Sequence, residues 1–174
     1  GLGGNGRLLD WEIFNRPAKG SINGFSHFAI KTVRDNKPIT YIINGDLEKD
    51  IMGQYRKQTF VGFGYGHETE KMAGFPHFRN VEFDGEFPIA NLTFKDKDFP
   101  ADVKMTAFNP FIPSDSKNSS IPAAFFEIEV NNTTDETLKY QIALSISNPF
   151  APSLNKAEVK DGYRMLKLIN SGAD

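Results

Sequence analysis

The sequence predicts an all-β chain folded as an antiparallel β-sandwich, and three observations carry that expectation. Apolar and polar residues alternate with a period of two in several short segments, which buries one face of a strand and leaves the other wet. Turn-forming residues interrupt these segments about every 8 to 12 residues, the spacing of a sandwich or barrel. The 174 residues include 16 Phe against one Trp and five Tyr, and aromatic side chains fit the pleated, half-buried surface of a sheet. No helical pattern recurs between the strand signals, so a βαβ arrangement is not expected.

Along the chain, Gly1-Leu2-Gly3-Gly4-Asn5-Gly6 is a glycine-rich opening, and Asp10 to Pro17 a mixed polar and aromatic segment ended by proline. Phe25 to Val33 reads as a strand, Asn36-Lys37-Pro38 as a turn, Thr40 to Ile43 as a short strand and Asn44-Gly45-Asp46 as a turn. Residues 47–77 are loop-rich. Leu47 to Tyr55 has the make-up of a short helix, and Val61 to Gly66 alternates Gly with apolar residues. Strand signals then become dense, at Phe78 to Phe83, Ile89 to Phe94 and Val103 to Phe108.

The clearest alternation lies in the next two segments. In Ala123 to Asn131, Phe126, Ile128 and Val130 share a face and Glu127 and Glu129 take the other. In Leu138 to Ser147, Tyr140, Ile142 and Leu144 oppose Lys139, Gln141 and Ser145. The polar Asn132 to Glu136 between them predicts a hairpin loop. A last strand is expected from Arg164 to Ile169. A single sandwich domain is expected over residues 1–174, with the final strands of 151–174 left open, and the abrupt opening is read as that of a fragment or processed piece of a larger enzyme.

Bulk properties exclude several classes. A length of 174 residues suits one domain, and one large enough to hold a core without staples. The formal net charge of -2 argues against nucleic acid or an anionic membrane as partner, both of which call for a basic excess. No run of about 18 apolar residues is present, so no transmembrane segment is expected. The chain has no Cys, which rules out disulfides and thiol chemistry and suits a cytoplasmic or a secreted protein alike. Sequons at Asn91, Asn118, Asn131 and Asn132 are read as chance in an Asn- and Thr-rich chain.

Motifs for cofactors and catalysis are weak. The glycine-rich opening formally matches G-x-G-x-x-G, but no strand precedes it and Pro17 soon interrupts the chain beyond it, so a turn is the expected role. His67, Glu68, Glu70 and His77 have no metal-ligand spacing, and His27 sits in a strand as a structural residue. The acid pairs Asp10/Glu12 and Asp84/Glu86 are i, i+2 pairs on extended chain, roughly 7 Å apart. Glycoside hydrolysis places two carboxyls at comparable distances, yet such pairs are common on wet strand faces. Trp11, Phe14, Phe25 and Phe28 lie near Asn15, Arg16 and Asn23, a mixture of flat rings and hydrogen-bonding groups that suits a sugar ring, although a place in the core is the stronger expectation. No cofactor and no metal are expected.

Several blocks resemble one family. The glycine-rich opening running into Asp10-Trp11-Glu12-Ile13-Phe14-Asn15-Arg16-Pro17 is similar to the early signature of glycoside hydrolase family 116 in its bacterial form. Phe87-Pro88-Ile89-Ala90 resembles the family's Tyr-Pro-Phe-Ala segment. Ala107-Phe108-Asn109-Pro110-Phe111-Ile112-Pro113-Ser114-Asp115 resembles its Ala-Phe-x-Pro-hydrophobic-Ile/Val-Pro-x-Asp block. Ser119-Ser120-Ile121-Pro122, Phe126-Glu127-Ile128 and Val130-Asn131-Asn132-Thr133 continue in the same order. The resemblance covers most of residues 1–150.

It implies the amino-terminal β-sandwich of a retaining β-glycosidase, of the β-glucosidase and non-lysosomal glucosylceramidase kind, packed on an (α/α)6 barrel that supplies the catalytic acid/base and nucleophile. No catalytic residue is therefore assigned to this chain. Its expected partners are that catalytic domain and, through it, a β-glycoside substrate. Trp11, Glu12, Phe14, Asn15 and Arg16 are the residues expected to touch the barrel or the rim of its sugar site. The alternative is a stand-alone carbohydrate-binding or structural β-sandwich module.

Overall fold

The computed structural model describes residues 1–9, 11, 26–46, 72 and 74–172. Among them the elements run β1 (His27–Arg34), β2 (Lys37–Gly45), β3 (His77–Phe78), β4 (Asn80–Glu86), β5 (Ile89–Lys95), β6 (Ala101–Phe108), α1 (Ser116–Ser119), β7 (Phe125–Asn132), β8 (Gln141–Ser145), β9 (Ser153–Lys160) and β10 (Tyr163–Asn170). Two four-stranded sheets have the orders β3-β2-β1-β8 and β4-β5-β6-β7, while β9 and β10 pair with each other. The pairings are antiparallel except for β2 with β3, which is parallel. The all-β sandwich expected from the alternation is the observed architecture.

Local chemistry explains the first hairpin. Asp35 and Asn36 both take positive φ, 51° and 59°, which gives the two-residue turn whose twist matches the flanking strands. The turn lies one residue earlier than expected, and Lys37 and Pro38 open β2 opposite Arg34 and Val33. The turn expected at Asn44-Gly45-Asp46 does not form. β2 runs on through Gly45 because both neighbours offer backbone partners: Gly45 N–H donates to Asn5 O at 2.6 Å and Asp46 N–H to Phe78 O at 3.0 Å. The helix expected at 47–55 and the Gly-alternating stretch at 61–66 lie outside the described residues.

The core sits between the two sheets. Phe28 and Ile30 of β1, Tyr41 and Ile43 of β2 and Phe78 of β3 face Leu92 and Phe94 of β5 and Ala101, Val103 and Met105 of β6, with Phe99 closing the group. Phe78 lies at its centre, with ring centroids 5.2 Å from Tyr41, 5.7 Å from Phe94 and 5.4 Å from Phe99. These tilted and edge-on arrangements are the ones the ring quadrupole favours. The Phe enrichment thus has a use: each ring removes a large apolar area from water, and the rings interlock across the layers.

The hairpin expected between residues 123–131 and 138–147 is not formed. β7 pairs with β6 and β8 pairs with β1, so the chain between them crosses from one sheet to the other. Both strands carry an apolar face, and each joins a different sheet, β7 beside β6 and β8 beside β1. Side-chain bonds pin the crossing. Tyr140 Oη donates to Pro100 O at 2.8 Å, Thr32 Oγ1 to Lys139 O at 3.0 Å, and Arg34 Nη2 reaches Glu136 Oε1 at 3.0 Å. Burial raises the Tyr140 phenol above its ordinary pKa, so the hydroxyl is protonated and available as the donor.

The crossing also leaves one flank of the sandwich open. Phe126, Ile128 and Val130 are partly buried against the core, and Phe126 meets Phe28 across the layers at 5.2 Å. Ile142 and Leu144 stand opposite Ile30 and Phe28 on the next strand, on the same inner face, yet remain 43% and 46% exposed. The alternation placed them on the correct side of the strand. Among the described residues β8 is the edge strand of its sheet, with no neighbour beyond it to complete their burial.

Strand β9 was not expected, since Ser153-Leu154-Asn155-Lys156-Ala157-Glu158-Val159-Lys160 lacks a clean apolar face. It is extended because it pairs along its full length with β10, around a turn at Asp161 (φ 52°) and Gly162 (φ 82°). The expected strand at 164–169 is β10.

Candidate functional site

The amino-terminal segment is the first candidate. Leu2 and Leu8 form an antiparallel bridge, Gly3 N–H donates to Arg7 O at 2.8 Å and Gly6 N–H to Gly3 O at 2.8 Å. The glycine-rich opening is therefore a tight turn laid on the end of the sandwich. Gly6 is required there: its φ is +82°, and a Cβ would lie 2.5 Å from the Phe94 ring. Leu8 is buried and Leu2 packs on the same cluster. This end of the chain is part of the core, and the glycines serve the turn.

Trp11 continues that packing. Its ring is half-buried against the core, and its Nε1–H donates to Ser26 Oγ at 2.6 Å, a hydroxyl that is itself buried. The indole's one polar group is thus engaged towards the interior. Glu12, Phe14, Asn15 and Arg16, the other residues expected at a contact, lie outside the described residues, as do Asp10 and Phe25.

The histidine and acid readings resolve in part. His77 is buried, with one ring nitrogen against Asn44 Oδ1 and the other 3.0 Å from Met72 O. Both nitrogens are occupied by neighbours that fix the entry into β3. His67, Glu68 and Glu70 lie outside the described residues. Among the described residues no three His, Asp or Glu side chains gather as a metal-holding group. Asp84 and Glu86 are both exposed on β4, pointing to the outer face opposite Asn91 and Ile89.

Among the described residues one carboxylate is buried, that of Asp96, and its partners define it. Asp96 accepts from Arg79 N–H at 3.2 Å and Asp98 N–H at 2.9 Å, and Arg79 Nε lies 3.7 Å away. Arg79 also meets Asp98 at 2.8 Å, and its guanidinium pKa is raised by that hydrogen bond and by both acids. Nearby, burial first and the two acids second push the Tyr41 phenol up. Asp96 closes the turn between β5 and β6, and these partners engage both of its oxygens.

The second candidate was not singled out by the sequence and lies at one end of the β4–β7 sheet. Ile89, Phe108 and Phe125 are consecutive cross-strand neighbours on its outer face, and Phe108 stacks on Phe125 with centroids 5.3 Å apart. Beside them Phe87, 80% exposed, meets Phe111 edge-on at 5.1 Å. Ile112 and Ile121 add to the exposed apolar surface. A signal for it exists in the sequence: residues 105–114 and 118–126 contain no charged side chain, although Pro and Asn mark much of this stretch as surface loop. A shallow depression of about 360 Å³ lies on the β9–β10 hairpin, lined by Ala157, Val159, Arg164 and Leu166 among others.

Taken together, these features define an all-β sandwich domain with a tight amino-terminal turn and an apolar, charge-poor end bordered by Glu86. Comparison with protein families makes the assignment specific. A family model described as "beta-glucosidase 2, glycosyl-hydrolase family 116 N-term" matches residues 1–167, and the chain belongs to that family. The match extends past residue 150, where the resemblance of individual blocks thins, and takes in β9 and the first part of β10. No curated protein matched the chain. Among the described residues no helix is long and apolar enough to cross a membrane.

Proposed function

We propose that this chain is the accessory amino-terminal β-domain of a retaining β-glycosidase, a piece of a longer polypeptide whose (α/α)6 domain supplies the two carboxylates. The family match over residues 1–167 carries this reading. The domain's mechanical role is to buttress the barrel. Its core is preorganised by interlocked aromatics, so a loop held on it is held in place for the neighbouring domain. The amino-terminal segment adds a finer proposal. Trp11 anchors the start of the Asp10–Pro17 block to the core through Ser26, which favours Glu12, Phe14, Asn15 and Arg16 as contacts to the barrel or to the rim of its sugar site.

Two measurements test this. The 174-residue chain, purified to homogeneity, is expected to leave an aryl β-glucoside intact, whereas the longer polypeptide hydrolyses it with retention of anomeric configuration. Turnover by the short chain, or none by the longer one, overturns the reading. For the rim, Arg16→Ala in the longer polypeptide is expected to raise KM or lower kcat without moving the unfolding midpoint. Unchanged kinetics remove the segment from the sugar site.

A further inference from the structure

The outer face of the β4–β7 sheet is divided into two zones of opposite character. Over most of its length the outward positions are polar and largely acidic, with Glu82, Asp84, Lys104, Glu127 and Glu129 among them. At one end the pattern changes to the row Glu86, Ile89, Phe108 and Phe125, in which only the first residue is charged, with Phe87 and Phe111 beside it. A solvated sheet face would continue the polar pattern. Large contiguous apolar patches on a folded domain mark places where something else is bound.

The loop that carries part of this patch is rigid by its own chemistry. Ile112 N–H donates to Ser119 Oγ at 2.9 Å, and the same hydroxyl donates back to Ile112 O at 3.0 Å. Asn109 Nδ2 donates to Ala123 O at 2.7 Å. Asp115 accepts from the Asn118 backbone at 3.0 Å and from its side chain at 2.5 Å. These bonds hold Phe111, Ile112 and Ile121 outward, 50%, 48% and 49% exposed. They also engage polar groups that a sugar's hydroxyls would need. The rings are turned on one another, Phe108 against Phe125 and Phe87 against Phe111, and do not lie as a flat platform. A glycan is a poor occupant of this surface.

The chemistry of the patch selects a partner. Depletion of charge with enrichment of aromatic side chains is the mark of the core of a protein–protein interface, most of all a permanent one. A family defined as the amino-terminal part of a glycosidase supplies one permanent neighbour, the catalytic domain. The geometry points to the Phe87–Phe111–Phe125 end of the β4–β7 sheet as the surface on which that domain docks. The inference rests on the accessory role proposed above and deepens it by naming the contact.

The test uses the full-length polypeptide. These 174 residues contain no Cys, so single substitutions report cleanly once labelled peptides are identified by mass. Phe111→Cys, Ile121→Cys and, as the mildest change at an exposed site, Phe87→Cys are compared with Lys104→Cys and Glu129→Cys in the acidic zone. Relative to the same variants in urea, the first three are expected to react with a maleimide at least about 100-fold more slowly, and the last two within about 10-fold of the unfolded rate. Equal reactivity in both zones overturns the docking surface. Protection that vanishes on dilution, with a monomer appearing in sedimentation, assigns the patch to a second copy and overturns it too. The two proposals fail separately. An active full-length enzyme with Phe111 and Ile121 unprotected sinks only the docking surface, whereas a full-length protein that hydrolyses no β-glycoside sinks the accessory reading itself.

Discussion

The two faces of the β4–β7 sheet use the same residue in opposite ways. Around Phe78 and Phe94, phenylalanines are fully enclosed and meet other rings across the sandwich. Around Phe87, Phe111 and Phe125, phenylalanines meet each other on the surface. The difference lies in what stands opposite. The first group faces a second sheet ten or so ångströms away, the spacing at which inner-face side chains interdigitate. The second group sits on the outer face, where the described residues supply no layer. Burial is thus a property of the layer arrangement, and residue type alone does not report it.

That contrast can be broken by mutation, and the largest effect belongs to the enclosed ring. Phe78→Ala removes a side chain that touches three other rings and is expected to cost about 3–5 kcal/mol in chemical denaturation. Phe87→Ala, at the exposed end, should fall within about 0.5 kcal/mol of the parent domain. A large loss at Phe87 in the isolated domain would mean that the apolar end is part of the domain's own core after all.

A smaller effect separates two glycines that share one backbone conformation. Gly6 and Gly162 both have φ of +82°. A Cβ on Gly6 strikes the Phe94 ring, while one on Gly162 meets nothing within 4 Å. Gly162→Ala is expected to cost about 1 kcal/mol, from the left-handed backbone alone. Gly6→Ala adds the displacement of a core ring, for about 2–4 kcal/mol in all. Equal losses in thermal unfolding would show that the amino-terminal turn yields without disturbing Phe94.

The smallest expected effect is local and depends on pH. The Asp115 carboxyl is held below its ordinary pKa, first by the backbone N–H of Asn118 and then by that residue's side chain. A carboxylate whose pKa is depressed on folding contributes its stabilisation above the unfolded pKa and loses it as pH falls through the folded one. The 109–124 loop is therefore expected to loosen on acidification, read as faster amide exchange at Asn118 after correction for the intrinsic rate. Asp115→Asn should flatten that dependence. A loop whose protection is the same at neutral and acidic pH would detach Asp115 from its order.

The sequence carried a good deal of this. Period-two alternation located β1, β5, β6 and β7 within a few residues, because a strand between a core and water must alternate whatever its partner. The Gly-rich opening was legible as a turn, since only glycine meets φ of +82° against an aromatic ring. Trp11 was expected in the core ahead of a sugar site, and its indole is tied inward to Ser26. Strand β9 was not legible, because its extended form comes from pairing with β10 and leaves no apolar face to read.

The limits of that reading have one cause. Alternation along a strand sets which side chains share a face, and it is local, so one chain of letters determines it: Ile142 and Leu144 did fall on the inner side. Which strand lies alongside is a competition among distant segments. It sent β7 to β6 and β8 to β1, where a hairpin between them was expected. The same competition decided which Phe residues are enclosed and which remain on the apolar end, because burial requires an opposing layer and only the folded arrangement of both sheets provides one.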